Sequence, residues 1–117
     1  MTLFEHALTW REAMGERYER SPLGMVYLMW AEGTDFYKIG FTRHSPSKRL
    51  EQVRTNCPFR VQLVGTTPAR MMDEQNLHFY LSGCRLNGEW FVVREEIRRA
   101  LCEWVDARGW EPNGRVS

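Results

Sequence analysis

The chain has 117 residues, enough for one domain whose single core buries about two thirds of its unfolded surface. Hydrophobic content of 43% with 13% aromatics argues for a folded globule, and a net charge of +1 excludes a polycation, so any nucleic-acid affinity must come from how charge is distributed. Cys57, Cys84 and Cys102 are too few and too far apart for a disulfide framework or a C-x-x-C metal pair, and no apolar run reaches the length of a membrane span, so a reducing, cytoplasmic location without a membrane partner is expected.

Thr2 to Arg20 reads as an amphipathic helix with Leu3 or Phe4, Ala7, Leu8, Met14 and Tyr18 along one side. Ser21-Pro22 ends it, since the residue before proline is pushed out of helical geometry. Core packing is favoured for this helix, and it also offers a surface for a second copy of the chain or a partner protein. Met25 to Trp30 and Phe36 to Thr42 are runs of β-formers on either side of a turn-rich break, which predicts an antiparallel hairpin. Alternation puts Met25, Tyr27 and Met29 on one face of the first strand, and Phe36, Lys38, Gly40 and Thr42 on one face of the second. Lys38, charged and in mid-strand, either faces water or holds something anionic.

Ser45 as N-cap and Pro46 at the first position open a helix to about Thr55, with Leu50 and Val53 inward. Arg43 to Arg60 holds five basic residues against one acidic one, Glu51, which is a basic patch or a solvated helix face. On this evidence from spacing alone, Arg49 is an ion-pair partner on that face. Val61 to Val64 alternates as a third strand, after which Thr67 and Pro68 repeat the cap-and-proline device and predict a helix to about Ser82, stopped by Gly83. Met71, Glu74, His78 and Leu81 fall on one stripe of it. A carboxylate and an imidazole on an apolar stripe are costly to bury unless they pair with each other or bind something. Asn87-Gly88 signals a turn before a strand from Glu89 to Val93, with Trp90 and Phe91 in the core. A closing helix from Arg94 to Arg108 buries Ile97, Leu101, Trp104 and Val105 and stops at Gly109, with Trp110 docking back and a loose tail following.

The whole is an α+β domain: a mainly antiparallel sheet of three or slightly more strands, flanked by helices, with an added N-terminal helix. The expected division is a helical extension over 1–22, the domain over 23–110 and a tail over 111–117.

Val26-Tyr27-Leu28, Tyr37-Lys38-Ile39-Gly40-Phe41-Thr42, Lys48-Arg49-Leu50, Glu74 with His78, and Gly88-Glu89-Trp90-Phe91 follow one another across most of the chain. In this order they resemble the GIY-YIG nuclease superfamily, in its phage-associated branch with a Y-K-I-G-x-T second motif. The resemblance implies a small GIY-YIG-like fold and metal-dependent hydrolysis of phosphodiester bonds in DNA. It implies that Tyr27 activates or positions the attacking water, that Arg49 contacts the scissile phosphate, that Glu74 holds Mg²⁺ or Mn²⁺, and that His78 protonates a leaving oxygen, assists the base or orients Glu74. A guanidinium suits Arg49's role because it is always charged and binds phosphate through two parallel hydrogen bonds. Lys38 stands where a second-motif tyrosine is usual and joins the catalytic set, Phe41 replaces a frequent basic residue, and the asparagine common after the glutamate has no counterpart. Lys38, Arg43, His44, Lys48, Arg49 and Arg54 are the expected nucleic-acid contacts, with DNA favoured over RNA. Two other readings stay open: a catalytically weak or inactive nucleic-acid-binding module on the same fold, and a protein-interaction domain such as a phage-encoded inhibitor or accessory factor.

Overall fold

A computed structural model describes residues 2–106 of the chain. The alternation along β1 (Leu23–Ala31) and β2 (Phe36–Thr42) is realised as an antiparallel hairpin in which Tyr27 lies opposite Gly40 and Met29 opposite Lys38. Gly33 turns it at φ 79°, a left-handed conformation that glycine adopts without steric cost. β3 (Val61–Arg70) runs antiparallel to β1 on its other side. The short strands β4 (Arg85–Asn87) and β5 (Trp90–Val92) extend the sheet past β2, giving five antiparallel strands in the order β3-β1-β2-β5-β4.

The side chains of the two faces meet different partners. Val26, Leu28, Tyr37, Ile39 and Phe91 join Leu3 and Ala7 of α1 (Leu3–Met14), Leu77 of α4 (Met71–Tyr80), and Leu101 and Trp104 of α5 (Glu95–Asp106) in the main core. On the opposite face Tyr27, Met29 and Val61 form a smaller cluster under Leu50 and Val53 of α3 (Pro46–Asn56). The N-terminal helix therefore packs on the core. No described helix is long and apolar enough to cross a membrane.

The helix expected from Thr67-Pro68 is not there: β3 continues through it to Arg70, with Thr67 opposite Val26 and Pro68 opposite Met25. β3 is an edge strand, where a residue lacking an N–H sacrifices no ladder bond, so this proline marks an edge rather than a helix start. The helix that follows, α4, runs from Met71 to Tyr80 and ends before the expected Ser82; a 3-10 turn (Ser82–Cys84) then leads into β4. β4 escapes sequence reading because Arg85, Leu86 and Asn87 are all exposed and carry no alternation. The single N-terminal helix expected to reach Arg20 breaks at Gly15, φ 54°, into α1 and a short α2 (Glu16–Glu19). The expected end of the last helix, the docking of Trp110 and the tail lie outside the described residues.

The break at Gly15 has an energetic purpose. It lets Arg11 and Tyr18, from either side, converge on Asp73, which is 1% exposed. Asp73 accepts from Arg11 Nε at 2.9 Å and Nη2 at 3.1 Å, from Tyr18 OH at 2.8 Å and from the Arg70 backbone N–H at 2.8 Å. The last bond caps the first turn of α4, where a carboxylate also meets the positive end of the helix dipole. Burial and the neighbouring Asp73 charge push the Tyr18 phenol up, so it stays protonated as a donor. Removing one partner from such a pair leaves a charge buried and uncompensated. Arg11→Met should therefore lower unfolding stability by about 3–5 kcal/mol in urea titration, and adding Asp73→Asn should restore part of it; equal losses in the single and double variants would rule out this account.

Candidate functional site

β5 pairs with β2 only over Phe36 to Lys38, so beyond that point the outward backbone groups of β2 need other partners. Side chains and the β4–β5 turn supply them. The Ile39 N–H donates to the Glu89 carbonyl at 3.0 Å, His78 Nε2 lies 2.7 Å from the Ile39 carbonyl, and the Phe41 N–H donates to the Glu74 carboxylate. A carbonyl only accepts, so the His78 proton is on Nε2 and its lone pair is on Nδ1, which faces Arg85 Nη2 at 3.5 Å. Burial lowers the His78 pKa and favours this neutral form. Glu74 Oε1 and His78 Nε2 are 3.8 Å apart, too far for the i, i+4 hydrogen bond that would have satisfied both without outside help.

Around this edge Glu74, Glu89 and His78 each offer a ligand atom, all within 4.8 Å of one another. Lys38 Nζ is 2.9 Å from Glu89 Oε1, close enough to pair charges, yet that buried oxygen makes no well-angled hydrogen bond. The Glu74 carboxyl is pushed up to about 7, first by burial and next by the Glu89 charge, against the pull of Lys38, the Phe41 N–H and Arg85. Burial and the second carboxylate outweigh the nearby Lys38 and Arg85 charges at Glu74, so the cluster favours additional positive charge. The donor set fits a hard divalent cation taking carboxylate oxygens and completing its shell with water or phosphate. His78, with Nε2–H already donating to Ile39, is turned away from ligation through that atom.

The third component comes from the α3 face of the sheet. Tyr27 is fully buried, and Arg49 Nε donates to its hydroxyl at 3.2 Å. The ring lies over Gly40, where a Cβ would collide with the Tyr27 hydroxyl and ring carbons. Glycine is thus required here by the close approach of an aromatic ring, at a φ that any residue could adopt. Burial raises the Tyr27 pKa while the Arg49 hydrogen bond opposes it, which leaves a neutral phenol beside a guanidinium. Arg49 Nη1 also donates to Gln52 Oε1 at 3.0 Å, which holds the fork in place.

Tyr27, Lys38, Arg49, Glu74 and His78 are thereby gathered along β2 from four elements. Arg43, His44 and Lys48 are exposed in the β2–α3 loop and the first turn of α3, beside Arg49. Arg54 is differently placed: its Nε donates to the Val61 carbonyl at 2.9 Å and its Nη2 to Gln62 at 3.4 Å, so it ties α3 to β3. Glu89 was missed as a site residue, although a carboxylate between a turn glycine and an apolar strand was the available signal.

Fold and site together define a small α+β domain with an edge-of-sheet polar centre that offers a guanidinium on one side and paired carboxylates on the other. The chain belongs to the T5orf172 domain family, which it matches over residues 24–106, well over half its length. That family is phage-associated and nuclease-like, compatible with a DNA-related function. No curated protein and no solved structure matches the chain.

The raised Glu74 pKa has a sign that stability measurements can read. Its folded value, about 7, lies above the ordinary 4.5, so the stability it favours is complete below pH 4.5 and is lost as pH rises through 7. Glu74→Gln, permanently neutral, should match the wild type near pH 4.5 and exceed it by about 3 kcal/mol above pH 8 in chemical denaturation. A difference that stays constant across that range would refute the shift.

Proposed function

We propose that this domain is a GIY-YIG-type endonuclease that hydrolyses phosphodiester bonds in DNA with Mg²⁺ or Mn²⁺. The observation that carries the reading is the convergence, at one sheet edge, of the Tyr27–Arg49 pair with the Glu74, Glu89 and Lys38 cluster. Glu74 and Glu89 would hold the cation, which when bound supplies Lewis-acid polarisation of the phosphate.

The remaining roles follow from the chain's own groups. Arg49 is exposed, always charged and already poised over Tyr27, so a phosphate arriving from solvent meets its fork first. Moving to that phosphate, Arg49 releases the Tyr27 hydroxyl to hold the attacking water. As a phenol with a raised pKa, Tyr27 orients that water by hydrogen bonding. Lys38, 12% exposed, stands against Glu89 and adds positive charge where negative charge develops on the phosphorane-like centre. His78 fixes the β2 edge through Ile39, which keeps Glu74 and Gly40 in register. Arg43, His44 and Lys48 extend the positive surface for the flanking strand.

A second reading, a nucleic-acid-binding module that cuts slowly or only with a partner, draws on the complete burial of Tyr27 beneath Arg49. Nicking of supercoiled plasmid separates the two. With Mg²⁺ or Mn²⁺ the wild type should nick, EDTA should abolish it, and Glu74→Ala or Arg49→Ala should slow it by at least about 100-fold. A folded wild type that leaves both plasmid and single-stranded DNA intact with either metal would favour the binding module.

A further inference from the structure

Among the described residues, helix α3 packs over β1 and β3 and leaves the β2–β5–β4 half of that sheet face open. A cleft of about 410 Å³ opens there, with Phe36, Lys38 and Trp90 as its floor and Arg49, at the candidate site, in its wall. The cleft shares Lys38 and Arg49 with that site but contains neither Glu74 nor His78. Three properties describe what it would accept.

It is aromatic: Phe36 and Phe59 meet edge to face at 6.0 Å, and Lys38 Nζ lies 5.8 Å from the Trp90 ring centre. It has apolar lining open to water, with Phe59 43% exposed and Leu86 52% exposed. It is also selective in charge, since its lining includes Lys38 and Arg49 and no acidic residue, while the side-chain amides of Gln52, Asn56 and Asn87 offer neutral donors and acceptors. Planar apolar faces, amide edges and cations without carboxylates are complementary to a nucleobase joined to an anionic backbone.

We propose that this cleft receives one unpaired nucleobase adjacent to the phosphate held by Arg49, so that the protein selects nucleic acid with an extrahelical or unpaired base over a continuous duplex. The assignment rests on the phosphate-binding part of the proposed function and not on cleavage. A paired base cannot enter, because its faces are stacked and its edge is engaged; an extrahelical base has already lost that stacking and meets Trp90 and Phe59 at little further cost. Leu86 adds a further apolar contact from the lining.

The test is binding of two fluorescent duplexes in EDTA at low salt, identical except that one carries a single extrahelical 2-aminopurine. The bulged duplex should bind at least about 10-fold more tightly, with its 2-aminopurine emission quenched on binding. Phe59→Ala/Leu86→Ala should erase both the preference and the quenching while leaving affinity for the continuous duplex unchanged. Both residues are solvent-exposed, so the variant is expected to fold. Equal affinity of the wild type for the two duplexes, or a preference that survives the double variant, would overturn the base-pocket assignment alone. Failure to bind either duplex would overturn it together with the phosphate-binding role of Arg49.

Discussion

Past Lys38, β2 has no strand along its outer side among the described residues, and its backbone groups there still have to be satisfied. Much of the candidate site follows from that constraint. Glu74 takes the Phe41 N–H, His78 donates to the Ile39 carbonyl, and the Glu89 carbonyl accepts from Ile39, so an edge that a further strand might have covered is covered by polar side chains and a turn. A covering strand would leave no room for carboxylates, and a bare edge would invite pairing with another chain. The arrangement also means that these residues hold the fold as well as the chemistry. Loss of His78, for example, strips a buried carbonyl of its donor.

Position along that edge is set from a distance. Asp73 is anchored by Arg11 and Tyr18, from residues 62 and 55 positions away, and through the Arg70 N–H it fixes where α4 begins. Glu74 is the next residue and His78 one turn further on. A shift of the helix start by one residue would rotate Glu74 by about 100° and carry its carboxylate off β2. The N-terminal helix is therefore part of what aims the site, even though the T5orf172 match begins only at residue 24.

The parts that depend on local period were legible in the sequence. Alternation groups Tyr27 with Met25 and Met29, and Gly40 with Phe36 and Lys38, on one face of each strand; the register that sets Tyr27 opposite Gly40 comes from the structure. Pro68 was misread because proline after threonine suits both a helix start and an edge strand, and which one holds depends on where β3 lies in the sheet. That error hid Asp73: with the helix started too early, it fell in the helix interior, whereas at the true start it is the third helical residue, where carboxylates cap. Its partners Arg11 and Tyr18 lie across a break at Gly15 that an amphipathic pattern does not reveal. For Glu89 the sequence offers only a carboxylate between a turn glycine and an apolar strand; its place beside Lys38 and Glu74 is a contact created by the sheet order and not by any spacing in the chain.

The sheet separates two kinds of chemistry and then lets them meet. Tyr27, Arg49 and Lys38 belong to the face that α3 covers, while Glu74 and His78 descend from α4 on the other. An uninterrupted sheet would keep them apart by its own thickness of side chains and backbone. They come within electrostatic reach because β2 is open on one side and because Gly40, at that opening, carries no side chain; the charges of Glu89 and Glu74 are both felt at Tyr27. The guanidinium and the carboxylates thus stand on opposite sides of β2 without neutralising each other. Lys38, paired with Glu89 on the α3 face, supplies positive charge that makes two carboxylates in one small volume tolerable.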